Sequence, residues 1–414
     1  MTSPDASQGR APAARSAAGS PSRAPAAVRP VERTGALEFS ARELRRAEAA
    51  GLSKVAGKLR AGERLDAADG LCLYAAEDLQ AVGALANRVR ERWHGDRAYF
   101  NVNQHINYTN YCNKFCKFCS FDRLPGQEGA YLLSPEQAAD KIRAHLHEPV
   151  TEVHMVAGVW PKIPYGYYLD LLRAVKAARP AIHIKAFTMV EIDQIWRAGK
   201  RDAGKVEVRE VLDDLVAAGL GSCPGGGAEV FAERVHQLGY ANKISGERWL
   251  ELAGEVHRAG LRSNCTMLHG HLETREERID HLSRLRALQD QTGGFQTYIP
   301  LSFHPANNEW NHLPGPTAVD ELRELAVGRL MLDNIAHIKA YWILMDIPVA
   351  QTALSFGADD VDGTVVEEKI YHDAGATTPQ QVKRAELIRW IEDAGRIPVE
   401  RDTLYNVLWS AESA

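Results

Sequence analysis

The sequence predicts an α/β fold: a (β/α)8 TIM-type barrel, complete or partial, preceded by a helical N-terminal extension. Two observations carry this expectation. From Ala98 onward, short apolar runs alternate with helical periods in six clear units and two weaker ones, the pattern of βαβ units around a parallel sheet. The unusual cysteine and glycine motifs also fall just after those runs, at strand C-terminal ends, where such barrels build their sites. With 414 residues, 45% hydrophobic and 25% charged, the chain has apolar surface enough for one such barrel and its attachments.

The elements follow in order. Residues 1–35 form an Ala/Pro/Ser/Arg-rich tail: nineteen are Ala, Pro or Ser and five are Arg. Such a stretch buries too little to offset its ordering entropy, so it is expected to be disordered, and it lacks the apolar core of a secretory signal. Residues 36–97 read as helices, the first N-capped by Ser40 and the last running from Glu77 to Trp93. The barrel is expected over 98–375, opening with a strand at Tyr99–Tyr108 that delivers the cysteines. A helix follows at Pro135–His147, with Ser134 as N-cap and proline at its first position. Further strands are expected at Thr151–Gly158, Ala181–Phe187, Leu220–Cys223, Arg262–Gly270, Phe295–Phe303 and His337–Met345, with a fainter eighth at Val361–Val366. Helices are placed between them, including Tyr167–Ala178, Trp249–Ala259, Glu273–Thr292 and Ala318–Asn334. Residues 376–414 are expected to be a helical segment packed on the barrel.

Composition excludes several functions. The net charge is −5 and basic residues are interleaved with acids, which gives no footprint for nucleic acid. No apolar run reaches the ~18–20 residues of a membrane-spanning helix. With only six cysteines, three of them scattered (Cys72, Cys223, Cys265), a disulfide framework is not expected, and a reducing, cytoplasmic location is.

The other three cysteines carry chemistry. Asn110-Tyr-Cys112-Asn-Lys-Phe-Cys116-Lys-Phe-Cys119 is a C-x3-C-x2-C cluster, one ligand short of the four that close a structural zinc or iron–sulfur site. Three thiolates on a 4Fe–4S cube leave one iron open to a small molecule. Two plainer readings stand beside it: a metal-free buried trio, and a zinc knuckle completed by a histidine such as His105. Elsewhere, Cys223-Pro-Gly-Gly-Gly227-Ala-Glu229 is a glycine loop without the Lys-Ser/Thr of a P-loop, suited to close backbone approach. Its plain alternative is a tight turn. His183 and Lys185 share one strand face, as do His269 and His271, and His304 ends a strand. Each of these is equally compatible with a structural role.

The cysteine spacing, with Phe118 before the last thiol, resembles the radical S-adenosylmethionine (SAM) superfamily, in which the open iron chelates SAM. That resemblance implies a 4Fe–4S cluster on Cys112, Cys116 and Cys119. It also implies a SAM site along the rim: Ala157 and Gly158 beside the methionine moiety, Ser222 and Glu229 toward the ribose, Leu268 and Gly270 toward adenine. Met155-Val-Ala157-Gly158-Val159 departs from the superfamily's Gly-Gly-Glu, so no carboxylate contact comes from Val159. Thr266-Met-Leu268-His-Gly270-His-Leu-Glu273 likewise varies the G-x-I-x-G-x-x-E motif.

More restrictive phrases resemble the aminofutalosine synthases of the futalosine route to menaquinone. They are His105-Ile-Asn-Tyr-Thr-Asn110, His183-Ile-Lys-Ala-Phe187, Pro224-Gly-Gly-Gly-Ala-Glu229, Gln289-Asp-Gln-Thr-Gly-Gly-Phe295 and Gly357-Ala-Asp-Asp-Val-Asp-Gly-Thr-Val-Val-Glu-Glu-Lys369. The resemblance implies addition of the 5′-deoxyadenosyl radical to 3-[(1-carboxyvinyl)oxy]benzoate, followed by aryl migration and loss of a carboxylate. It further implies SAM as co-substrate, flavodoxin or ferredoxin as electron donor, and Lys185, His183 and His304 as candidate partners of the substrate carboxylates. Cyclic dehypoxanthinyl futalosine synthases and deazaflavin (FO) synthases share parts of these phrases, and a structural or sensory metal protein is the reading from another class.

Overall fold

The computed structural model describes residues 33–412; the tail expected over 1–35 lies outside the described residues as far as residue 32. The strands are β1 (Arg97–Asn101), β2 (Asn103–Ile106), β3 (Glu152–Met155), β4 (His183–Ala186), β5 (Leu220–Cys223), β6 (Arg262–His269), β7 (Phe295–Ser302), β8 (His337–Ile338), β9 (Asp360–Gly363), β10 (Ile397–Arg401) and β11 (Val407–Ser410). Strands β2 to β8 form one seven-stranded sheet in sequence order. Every neighbouring pair in it is parallel. A sheet of successive parallel strands, each joined to the next through helix, curls into a barrel wall with the helices outside. The helices bury their apolar faces on it: Leu171, Leu172 and Val175 of Tyr165–Ala178, and Leu282 and Leu285 of Arg275–Thr292, are fully buried.

The barrel is partial as a hydrogen-bonded ladder. Its eighth position, expected as a strand at Val361–Val366, is taken by the short strand β9, whose ladder partner is β1 of a second sheet, and by the irregular residues that follow it. Asp359 N donates to Ile338 O at 3.0 Å and Ala340 N to Asp360 O at 2.8 Å on the β8 side, and His105 N to Val366 O at 3.0 Å on the β2 side. Positive φ at Asp362 (70°) makes β9 irregular, and positive φ at Val365 (43°) ends the extended path before Val366.

Three other expectations are corrected. The single strand expected at Tyr99–Tyr108 divides at Val102. The Thr364 hydroxyl accepts from Asn103 N at 3.1 Å and donates to Asn103 O at 2.9 Å, replacing a strand partner there. β1 therefore enters a second sheet, ordered β11-β10-β1-β9, and only β2 joins the barrel. The strand expected at His337–Met345 is two residues long and gives way to a helical turn at Trp342–Met345, pinned by Trp342 Nε1 donating to Gly363 O at 3.0 Å. The C-terminal region contains one helix, Arg384–Asp393, but then the antiparallel pair β10–β11 rather than more helix. Buried Arg401 at the end of β10 fastens this pair to the barrel through Asp360, Nε to Oδ2 at 2.6 Å.

The N-terminal helices Ala41–Ala49, Ser53–Ala61, Ala67–Ala75 and Leu79–His94 pack chiefly on the barrel helices Arg275–Thr292 and Ala318–Met331. Reciprocal caps start two of them, Ser40 with Glu43 and Asp66 with Asp69. Ser134, with Pro135 after it, caps the helix behind the cysteine loop in the same way.

Candidate active site

The cysteine loop leaves the C-terminal end of β2 and is held by its backbone. Gly158 N donates to Thr109 O at 2.9 Å, Asn113 N to Val159 O at 3.1 Å, Cys112 N to Arg123 O at 3.1 Å and Lys117 N to Gly239 O at 2.9 Å. Phe115 takes φ 48° to complete the turn. Phe118 anchors the second half against Tyr240 and Trp310, with ring centroids 5.8 and 6.0 Å away. All three thiols are free and line one cavity at the strand C-terminal ends.

Burial dominates the electrostatics of the trio. It pushes the thiols of Cys112 and Cys116 up, and that of Cys119 to about 12. The metal-free loop therefore holds neutral thiols, and a metal centre must displace their protons. Half-buried Lys243 places a compensating charge beside Cys116. Burial works against its ammonium form, but the ion pair with Glu229 and the neighbouring Cys116 hold its pKa above the usual lysine range.

Among the described residues, His94, His337 and Asp359 bring ligand atoms within 4.8 Å of one another. The histidine trio is already occupied by protein groups: Arg329 pairs with Asp359, and His94 Nε2 donates to Ala336 O at 2.7 Å.

The rest of the cavity comes from strands β2, β3, β6 and β7 and from the segments after β4, β5 and β8, which supply Thr188 and Val190, Gly225–Gly227, and Lys339 and Tyr341. Gly158, Glu229, Leu268 and Ala157 line it, as does His304, whose Nε2 donates to Leu344 O at 3.0 Å. Gly225 is pressed onto β6, because a Cβ there would come within 2.5 Å of the Asn264 carbonyl. Glu229 reaches the cavity with φ 46°.

Four expected contacts are not found in the lining. Ser222 and His183 hydrogen-bond each other at 2.8 Å, and the imidazole covers Gly221, so both are spent inside the sheet. Lys185 Nζ is buried on Glu152 Oε2 at 2.9 Å. Burial alone would raise the Glu152 pKa, yet the ammonium holds it below the ordinary carboxylate range. Gly270, with φ 91°, lies under Pro316 while its N–H donates to Glu273 Oε1 at 2.6 Å, so it is a turn glycine. Conversely, His154, Lys339, Asp362 and Lys243 line the cavity and were not singled out by the sequence, while His105 was noted only as a possible zinc ligand. Their alternation on strands is the available signal, but it does not tell which face points inward.

The radical SAM superfamily model matches residues 106–285, and the model of the CofH/MqnC C-terminal region matches 292–413. The aminodeoxyfutalosine synthase of Thermus thermophilus is 46% identical over 358 residues, covering 86% of this chain and 95% of that protein. The aminodeoxyfutalosine synthase of Streptomyces coelicolor is 42% identical over 362 residues, covering 85% and 92%. The chain belongs to the aminodeoxyfutalosine synthase family. The crystal structure of a methylornithine synthase shares the fold at TM-score 0.65 and 17% identity, covering 81% of this chain and 95% of that one.

Membership in this family of radical SAM enzymes brings a 4Fe–4S cluster and SAM as cofactors. The site suits both. The chain presents three free cysteines facing a common cavity. That cavity continues past the cysteines along Ala157, Gly158 and Leu268, with room made by glycines 225–227. No helix among the described residues is long and apolar enough to cross a membrane.

Proposed function

We propose that this enzyme joins the adenosyl group of SAM to 3-[(1-carboxyvinyl)oxy]benzoate, with aryl migration and decarboxylation, giving aminodeoxyfutalosine. The observation that carries the reading is the shared cavity: the three thiols, the small-residue rim and a polar inner end open into one space. Cys112, Cys116 and Cys119 hold the cluster. When bound, the cluster supplies the electron that splits SAM reductively.

The chain's own residues perform positioning. Ala157, Gly158 and Leu268 offer backbone and small side chains along the SAM path, and Glu229, held by Lys243, presents a carboxylate toward it. Ile299, Leu301, Tyr341 and Tyr371 give the cavity apolar and aromatic walls that exclude water from the reacting centre. Of the three residues expected to meet substrate carboxylates, His304 is the one that reaches the cavity, and its Nε2 proton is committed to Leu344 O. A reaction whose chemistry is supplied by the cofactor pair needs from the protein mainly a fixed alignment of 5′ carbon and alkene.

A flavodoxin or ferredoxin fits the need for a one-electron donor, and a cytoplasmic location fits the free thiols. The same reading divides the chain into an extension (36–97), a barrel (98–375) and a C-terminal segment (376–414) completing it. The test is anaerobic incubation of the reconstituted enzyme with ribose-labelled SAM, reductant and the enol ether, followed by mass spectrometry. Label should appear in aminodeoxyfutalosine, with methionine as the other fragment. Label confined to 5′-deoxyadenosine with the enol ether untouched refutes the reading in favour of a hydrogen-abstracting cyclase or deazaflavin synthase.

A further inference from the structure

The inner end of the cavity, where lining residues come from strands instead of loops, has polar equipment that the reaction as described does not use. His105 on β2 and His154 on β3 are register partners. Their rings stack with centroids 4.6 Å apart at 18°, and both line the cavity. His105 is 5% exposed, and its Nε2 is buried with no partner.

The charged groups around this pair are already matched. Lys339 of the strand β8 edge pairs with Asp362 of β9, and Lys185 of β4 pairs with Glu152 of β3. Glu368 accepts from Ile370 N at 2.8 Å and Tyr371 N at 3.0 Å, with His372 3.2 Å away. Burial keeps both imidazoles in the neutral form, His154 most strongly. A buried nitrogen without a partner costs stability unless something binds there, so the pair reads as a docking point awaiting a polar ligand atom.

The shape of the proposed substrate says which atom. Its vinyl group must face the SAM side of the cavity, so the group at the inner end is the carboxylate on the far side of the aromatic ring. Apolar Ile299 and Leu301 of β7 line the same cavity and suit the ring. Two stacked imidazoles, each neutral ring offering one N–H, suit the two oxygens of one carboxylate.

We propose that His105 and His154 form the subsite for the ring carboxylate of the aromatic substrate, holding its far end so that the alkene is presented to the adenosyl carbon. The proposal rests on the enol-ether reading above. The subsite discriminates against a ligand lacking that one carboxylate, because the buried imidazole would again be left unpaired.

The test is a cycle of two ligands and three proteins. The anaerobic holoenzyme is dialysed to equilibrium with 3-[(1-carboxyvinyl)oxy]benzoate and, separately, with 2-phenoxyacrylate, which lacks the ring carboxylate. Wild type should bind the diacid at least about tenfold more tightly. His105→Leu and His154→Leu should bind the two ligands within about twofold of each other, while His105→Gln, which keeps a donor near the Nε2 position, recovers part of the preference. Cluster absorbance and SAM affinity should match wild type in every variant that folds. Full discrimination surviving in both leucine variants, or in the one that folds, overturns the subsite. Should neither leucine variant fold, His105→Gln is decisive alone: a shifted preference supports the subsite and an unchanged one overturns it. Wild-type enzyme that binds neither ligand refutes the enol-ether reading itself.

Discussion

Gly158 lies directly beneath the Tyr111 carbonyl: a Cβ on residue 158 would come within 2.5 Å of that oxygen, one residue before Cys112. The small residue thus serves the cysteine loop as much as any ligand. Widening it to valine should displace the loop, at a cost of about 1–3 kcal/mol as for other overpacked sites. Iron per chain after reconstitution should fall in Gly158→Val, whereas a glycine that only faces SAM would leave iron intact and weaken SAM binding alone. Iron analysis beside SAM affinity separates the two.

Each cluster cysteine should be indispensable for iron. Cys112→Ala, Cys116→Ala and Cys119→Ala should each lose the brown colour and SAM cleavage. Cys72→Ala, Cys223→Ala and Cys265→Ala should keep both, since none of these thiols lines the cavity. Iron retained by Cys119→Ala but lost from Cys223→Ala would reverse the ligand assignment.

The buried Lys185–Glu152 pair predicts a stability effect in place of a substrate effect. Lys185→Met leaves the Glu152 carboxylate buried without its counter-charge and should cost about 3–5 kcal/mol. The double variant Lys185→Met, Glu152→Leu should recover most of this, because no buried charge remains. Denaturant unfolding measures both. A Lys185→Met protein of normal stability that fails to bind the enol ether would instead return Lys185 to the substrate.

Glu191 supplies a pH test. Burial pushes its carboxyl from the ordinary 4.5 to about 7, although Tyr108 Oη donates to it at 2.7 Å and Thr188 caps against it. A carboxyl whose folded pKa is raised binds its proton more tightly in the native state. Stability is therefore lost as pH rises from about 4.5 to 7 and is level above that. Glu191→Gln keeps the shape without the charge. It should raise the apparent melting temperature at pH 8 more than at pH 5, by the equivalent of a few kcal/mol at most. An equal effect at both pH values would show that Glu191 is ionised throughout.

The cysteine spacing, the alternation of strands and helices, and the capping residues Ser40 and Ser134 were all legible in the sequence, because each is a local pattern a few residues long. Leu220–Cys223 was placed to the residue for the same reason, since glycines and helix caps bracket it. The exchange of sheets at Val102 was not, because it depends on Thr364, more than 250 residues away, taking the place of a strand partner. The polar residues of the site were the least legible. His183, Lys185, His105 and His154 all stand on barrel strands with similar alternation, yet the first two are consumed by Ser222 and Glu152 while the last two face the cavity. Local sequence determined which segments are strands and which loop carries the metal ligands. Only the tertiary structure decided which polar side chains are left free for a ligand, because whether each one finds a protein partner depends on residues brought beside it from distant strands.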